Sequence, residues 1–172
     1  VPIAVTSFSA VELEEKGLAT LVDLEKSVPN AQMRESRGTN STLTAFIRGI
    51  GQQDPLWGFE PGIGIYVDDV YIARPQAAVL DVYDVERIEV LRGPQGTLYG
   101  KNTIGGAVKY VTSQLDGETR GSVKLSAGDY GQQDFTASGQ VSVIQDRLFL
   151  GGAIASLQRD GYGTQFKGYD SA

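Results

Sequence analysis

The sequence predicts an α+β domain followed by antiparallel strands of a different texture, and three observations carry this expectation. The stretch Glu86 to Thr112, ERIEVLRGPQGTLYGKNTIGGAVKYVT, reads as strand, one helical turn, glycine hinge and strand. Ahead of it, short capped helices interleave with short alternating segments. From Thr119 onward helical patterns stop, and period-two alternation recurs in three successive segments.

In chain order, residues 3–8 read as a short strand. Ser9 and Glu12 have the spacing of a capping box, which starts a helix that ends at Gly17. Thr20 is expected to cap a second helix, TLVDLEKSV, with Leu21 and Leu24 on one face and Pro29-Asn30 closing it. Residues 31–41, AQMRESRGTNS, are polar and read as a loop. Leu43, Ala45 and Ile47 then alternate with Thr44, Phe46 and Arg48 until Gly49-Ile50-Gly51 breaks the strand. Ile63, Ile65 and Val67 mark another strand face, and Asp68-Asp69 stands where a two-residue hairpin turn belongs. Aspartate tolerates a left-handed φ less well than glycine, so a type I or strained turn is expected there. Residues 77–83 read as a short helix. In the organising stretch, Ile88 and Val90 share one face, with Arg87 and Glu89 on the other. Pro94 is expected at the first helical position and Gly100 after the last turn.

In the second part, Val123, Leu125 and Ala127 oppose Ser122, Lys124 and Ser126. Phe135, Ala137, Val141 and Val143 oppose Thr136, Ser138, Gln140 and Ser142. RLFLGGAIASLQR is a third, less regular strand. The lengths suit a transmembrane β-strand of about 9–11 residues, and the same period suits a soluble sandwich hairpin.

Composition excludes several functions. The chain has no cysteine and no histidine, which removes thiol nucleophiles, Cys-zinc sites, Ser-His-Asp triads and His-metal sites. Net charge is −6 and the cations are scattered, which argues against nucleic acid. No segment has the ~18 apolar residues of a membrane helix, and nothing reads as a signal peptide. GPQGTLYGKN fails as a phosphate loop: Gln95 stands where glycine is needed and Asn102 where Ser or Thr is needed. Adjacent Asp68 and Asp69 suit turn formation better than acid-base work, as do Asp81 and Asp84. No enzyme and no cofactor is therefore expected. Arg48 and Arg92 each end an apolar strand and precede glycine, so each needs an acidic partner, with Glu86 or Glu89, or else full solvation.

IEVLRGPQGTLYGKNTIGGAVKYVTS resembles the signature of the plug domain of TonB-dependent outer-membrane receptors. TAFIRGIG, GIGIYVDDVYI and the opening PIAVTSFSAVELEEKG resemble the same domain in the same order, so the resemblance covers residues 1–114. The family usually has Asp-Gly where this chain has Asp68-Asp69. The resemblance implies an α+β plug domain at 1–114, a mixed sheet with short helices, and then, at 115–172, the first antiparallel transmembrane strands of a β-barrel. The barrel is incomplete, because three strands cannot close one. Together with a start on a strand and an end in a polar loop, this predicts a piece of something longer.

The implied function is energised uptake of a scarce ligand, such as a ferric siderophore, across the outer membrane, with the plug occluding the barrel and reached from the periplasmic side. The implied partners are TonB with ExbB and ExbD, through an N-terminal box this chain lacks, and outer-membrane lipid around the complete barrel. Matching arginines in the family face the barrel wall, which assigns plug–barrel contact to Arg48 and Arg92. Apical loops of the family help contact ligand, which assigns that role to Gln52, Gln53, Asp54, Trp57, Arg74 and Gln76. The alternative reading is a soluble binding or adhesion module, or a signal-transducing receptor with a plug-like domain.

Overall fold

The computed structural model describes residues 4–36, 42–53, 60–74, 84–145 and 147–161. The chain divides into two compact units, Val1–Gln114 and Leu115–Ala172.

In the first unit, β1 (Ala4–Ser9) leads into α1 (Ala10–Glu15). The capping box forms: Glu12 N–H donates to Ser9 Oγ, and Ser9 N–H donates to the Glu12 carboxylate. Gly17 takes φ 63 beyond the last turn, as expected of a closing glycine. The next segment forms a 3₁₀ helix, Leu21–Lys26, rather than an α-helix. In a 3₁₀ helix side chains three apart eclipse, which drives Leu21 and Leu24 together into the core, both with no exposure.

Residues expected to form a loop instead supply β2 (Ala31–Glu35). Only Ala31 and Met33 are apolar, too few to show a period in the sequence, yet both are buried while Gln32 and Arg34 face out. β2 pairs with β3 (Leu43–Ile47), which turns through Arg48-Gly49 into β4 (Ile50–Gly51). The break at residues 49–51 is thus a hairpin: Arg48 and Gly49 take φ 53 and 81.

The larger sheet runs β1-β7-β8-β5-β6, with β5 (Ile63–Val67), β6 (Val70–Tyr71), β7 (Val85–Arg92) and β8 (Gly106–Thr112). It is mixed: β5 and β8 are parallel and the other neighbours antiparallel. One core joins both sheets and both helices through Phe8, Leu13, Leu24, Met33, Ile47 and Ile88. α2 spans Gly96–Tyr99 and starts later than expected, with Pro94 outside it. Gly93 N–H donates to Gly105 O and Gln95 N–H to Thr103 O, so the β7–β8 ladder continues past Arg92 and delays the helix. The helix expected at residues 77–83 lies outside the described residues, as does Asp81.

The Asp68-Asp69 turn is neither type I nor idle. Both residues take a left-handed φ, 45 and 68, as a type I′ turn requires. Each carboxylate has a use that glycine could not supply. Asp68 accepts from Thr112 N–H at 2.8 Å and Thr112 Oγ1 at 2.6 Å, and Asp69 pairs with Lys109 at 2.7 Å. Asp68→Gly should therefore destabilise residues 1–114 by about 0.5–1.5 kcal/mol, because two hydrogen bonds to an exposed carboxylate are lost and relief of φ offsets only part of that. Asp69→Gly should stay within about ±0.5 kcal/mol, since relief of φ offsets an exposed ion pair. Urea unfolding of both variants checks the ordering, and equal losses would contradict it.

The second unit is an antiparallel sheet ordered β11-β10-β9, with β9 (Arg120–Gly128), β10 (Gln132–Ile144) and β11 (Leu148–Gln158). Register places Phe135 opposite Leu125, Ala137 opposite both Val123 and Ile154, and Val141 opposite Leu150. The predicted apolar rows thus share one face, which is bare: Val123, Leu125 and Ile154 are 70%, 76% and 63% exposed. The other face carries polar contacts such as Ser122 Oγ to Ser138 Oγ at 2.9 Å.

Candidate functional site

Arg48 and Arg92 meet at one corner of the first unit. Arg92 is the last residue of β7 and shares a strand face with Ile88 and Val90, the core side, so its side chain leaves the core at the rim. Its Nη1 donates to Pro29 O at 3.3 Å, while its Nε is buried without a partner. Arg48 opens the β3–β4 turn and is exposed; its backbone N–H donates to Asn30 O at 2.8 Å. Its Nη1 lies 3.4 Å from the point a Cβ on Gly93 would occupy. Two arginines from separate sheets are thus held by the adjacent carbonyls of Pro29 and Asn30, with the Arg48 guanidinium beside Gly93.

Neither pairs with an acid among the described residues. The internal partners that the sequence left open, Glu86 and Glu89, instead bind Arg87 at 2.6 and 2.7 Å. Glu89 points to the opposite face from Arg92, and Glu86 lies about 20 Å along the strand at ~3.3 Å per residue. Two cations thus stand at this rim without an acidic partner among the described residues.

The expected ligand-contacting residues are spread over both sheets. Gln52 and Gln53 follow β4, half-buried and exposed, and Gln53 O accepts from Thr44 Oγ1 at 3.2 Å. Arg74 follows β6 on the larger sheet and is exposed. Asp54, Trp57 and Gln76 lie outside the described residues.

A cluster the sequence did not reveal holds the glycine-rich stretch 93–105 in place. Tyr66, on the sheet face opposite the core, donates its hydroxyl to Tyr99 O at 2.6 Å, and its ring lies 5.1 Å from that of Tyr99 and 5.4 Å from that of Tyr71. Asn102 Nδ2 donates to Tyr71 Oη at 3.0 Å, and Lys109 Nζ sits 5.3 Å over the Tyr99 ring. Burial, then the neighbouring tyrosines, raises the Tyr66 pKa. The bond to Asp69 is the largest cause of the raised Lys109 pKa. Tyr66, Tyr71 and Lys109 lie on strands, whereas Tyr99 ends α2 and Asn102 follows it, so no single sequence period links them.

The corner also depends on the 3₁₀ helix that precedes Pro29. Burial acts to raise the Asp23 pKa, but bonds from Lys26 and from Thr20 backbone and side chain outweigh it, and the net direction is down from the ordinary 3.8. A depressed folded-state pKa means the unfolded chain takes up the proton first. The stabilisation is thus present above about pH 4 and is lost as pH falls through the folded value. Asp23→Asn should flatten the acid limb of stability against pH, and an unchanged slope in urea titrations between pH 2 and 5 would refute this.

Comparison with known proteins follows the same lines. A family model described as TonB-dependent Receptor Plug Domain matches residues 1–107. The Pesticin receptor of Yersinia pestis is 33% identical over 163 residues, covering 92% of this chain and 23% of that protein. The Vitamin B12 transporter BtuB of Vibrio vulnificus is 29% identical, covering 88% and 23%. Among solved structures, the ferric yersiniabactin uptake receptor FyuA from Yersinia pestis matches with a TM-score of 0.76 and 29% identity over 91% of this chain and 24% of that one. The chain spans about a quarter of the length of the curated relatives it matches.

Proposed function

The chain belongs to the TonB-dependent receptor plug domain family, and from that premise we propose that its parent protein is an energised outer-membrane receptor. Residues 1–114 act as the plug and residues 115–172 begin the barrel. The receptor takes up a scarce ligand such as a ferric siderophore, and the relatives' names, pesticin receptor and vitamin B12 transporter, support that class of cargo. The observation that carries the reading is the bare apolar face of the second unit. In water, a row with Val123 and Leu125 at 70% and 76% exposure is an aggregation surface; against lipid it is the required one. The same observation disfavours the soluble binding or adhesion module.

Within the parent, Arg48 and Arg92 pair with carboxylates on the barrel wall, a reading supported by the engagement of Glu86 and Glu89 with Arg87 instead. Gln52, Gln53, Asp54, Trp57, Arg74 and Gln76 contact ligand from the apical loops. TonB, with ExbB and ExbD, draws on an N-terminal box from the periplasmic side. A plug held by polar contacts that water can replace yields to modest work. Fractionation of cells expressing the parent gene tests this. Recovery in the outer membrane, with ligand accumulation stopped by a protonophore, is expected; a soluble pool would end the reading. Trp57→Ala with Gln76→Ala should weaken ligand binding at unchanged receptor abundance, and unchanged affinity would remove the apical assignment.

A further inference from the structure

We propose that Ile50 and Ile104 form an apolar ledge that receives an uncharged ring face of the cargo, an aromatic or alicyclic group, so that the ligand is amphiphilic rather than clothed in charge. That the bound group belongs to a cargo rests on the uptake reading above; the affinity of the ledge for rings does not. Ile50 opens β4 on the smaller sheet, and Ile104 stands between α2 and β8 on the larger one. They are 40% and 57% exposed. Gly62 brings them together: the point a Cβ would occupy there lies 3.2 Å from Ile50 Cγ2 and 3.6 Å from Ile104 Cγ1. A Cβ on Gly105 would come within 2.9 Å of Ile50 Cβ and 2.6 Å of Ile63 Cδ1, so Ile50 packs straight on backbone. That backbone is bonded on both sides, with Gly105 N–H donating to Gly62 O at 2.9 Å and Gly93 N–H to Gly105 O at 3.0 Å. Both side chains are β-branched and stiff at χ1, so little freedom is lost when they are covered.

The occupant follows from size and charge. Two isoleucines offer far less than the ~1,000 Å² that a stable protein interface buries, so a small group fits and a macromolecule or a second copy does not. Glu60 and Lys101, the charges nearest along the stretches that carry Gly62 and Ile104, neutralise each other at 2.7 Å. Arg48 stands beside Gly93 at the margin and, on the reading above, is engaged elsewhere. A wall textured like the polar face of the strands in residues 115–172, with Ser122, Thr136, Ser138 and Gln140, does not match two isoleucines either. An uncharged ring laid flat does, since it removes both side chains from water at once. The ledge also adjoins the residues proposed above to contact ligand, because Gln52 and Gln53 follow β4 directly.

The test uses the full-length parent protein with Ile104→Cys, labelled by monobromobimane and read at that position by peptide mass. Residues 1–172 contain no cysteine to interfere. The probes are 2-naphthol, an uncharged ring compound at neutral pH, and citrate, a small polar anion. The expected result is ready labelling in resting protein, slowed by 2-naphthol and not by citrate. Val70→Cys, 66% exposed at the turn end of the β5–β6 hairpin and away from Gly62, should label at one rate with and without 2-naphthol. Adding Ile50→Ser to Ile104→Cys should raise the 2-naphthol concentration for half-protection about tenfold, whereas Ile50→Val keeps most of the protection. Leu24→Cys, a site with no exposure in the folded state, should stay unlabelled beside Ile50→Ser, which shows that the fold is intact. Absence of labelling at position 104 in resting protein would mean that another segment covers the ledge, and overturns the proposal. Equal protection by citrate, protection of position 70, or protection that survives Ile50→Ser overturns it too. An outer-membrane protein without protection loses the ledge and keeps the uptake reading. A soluble protein with protection keeps the ledge and loses the uptake reading.

Discussion

Gly106→Ala lowers the stability of residues 1–114 by about 2–5 kcal/mol, combining backbone strain with overpacking against a rigid neighbour. Gly106 starts β8 opposite Arg92, and its φ is 149, a value L side chains rarely adopt. A Cβ there would collide with Leu91 O, and it would come within 3.1 Å of Ile47 Cδ1. Neither can yield cheaply: the carbonyl belongs to the β7–β8 ladder, and Ile47 has no exposure. The damage falls on the strand end that carries Arg92. Gly96→Ala, ten residues earlier, provides the contrast. Nothing lies within 4 Å of its would-be Cβ and its φ is ordinary. In the first turn of α2 alanine should gain about 0.4–1 kcal/mol by restricting the unfolded chain. Urea midpoints at unchanged slope measure both. A loss below about 1 kcal/mol at Gly106 would mean that β8 can shift, and the close packing would then not be what fixes this corner.

Those two glycines also mark what the sequence made legible. Gly93, Gly100 and Gly105-Gly106 punctuate a stretch whose alternation is regular, so strand, turn and strand were readable. So was the Ser9–Glu12 box, because capping is local chemistry. β2 was hidden because its pairing partner supplies most of the pattern: Ala31 and Met33 are buried only because β3 and the 3₁₀ helix lie against them. The Asp68-Asp69 turn was expected as type I or strained, and the left-handed alternative formed, for a similar reason. Local preference disfavours two left-handed aspartates, and their compensation, Thr112 and Lys109, lies some forty residues on. At the site, Arg48 and Arg92 were singled out as cations ending apolar strands, but their convergence depends on how two sheets pack. The tyrosine cluster had no local signal, since Tyr66 and Tyr99 meet only through the β5–β8 pairing.

Arg48→Ala and Arg92→Ala should act differently in the plug and in the parent receptor, and this difference decides whether the pair is a latch. In isolated residues 1–114, Arg48 is exposed with no acid among the described residues, so its loss should stay within about ±0.5 kcal/mol. Arg92 gives up one long bond to Pro29 O but also removes a buried Nε that had no partner, and these oppose each other. Its net cost should not exceed about 1 kcal/mol. If the two guanidinium groups pair with wall carboxylates in the parent, truncation leaves those acids buried and alone, at about 3–5 kcal/mol per broken pair. Labelling of Leu24→Cys in the full-length protein should then accelerate by about a hundredfold or more, since each 1.4 kcal/mol is tenfold. Arg92→Lys should recover only part of this, because an ammonium cannot reproduce the two-pronged contact. A loss above about 2 kcal/mol in isolated residues 1–114 would instead make the arginines internal staples of the plug. An unchanged labelling rate in the parent would mean that nothing beyond Ala172 grips them.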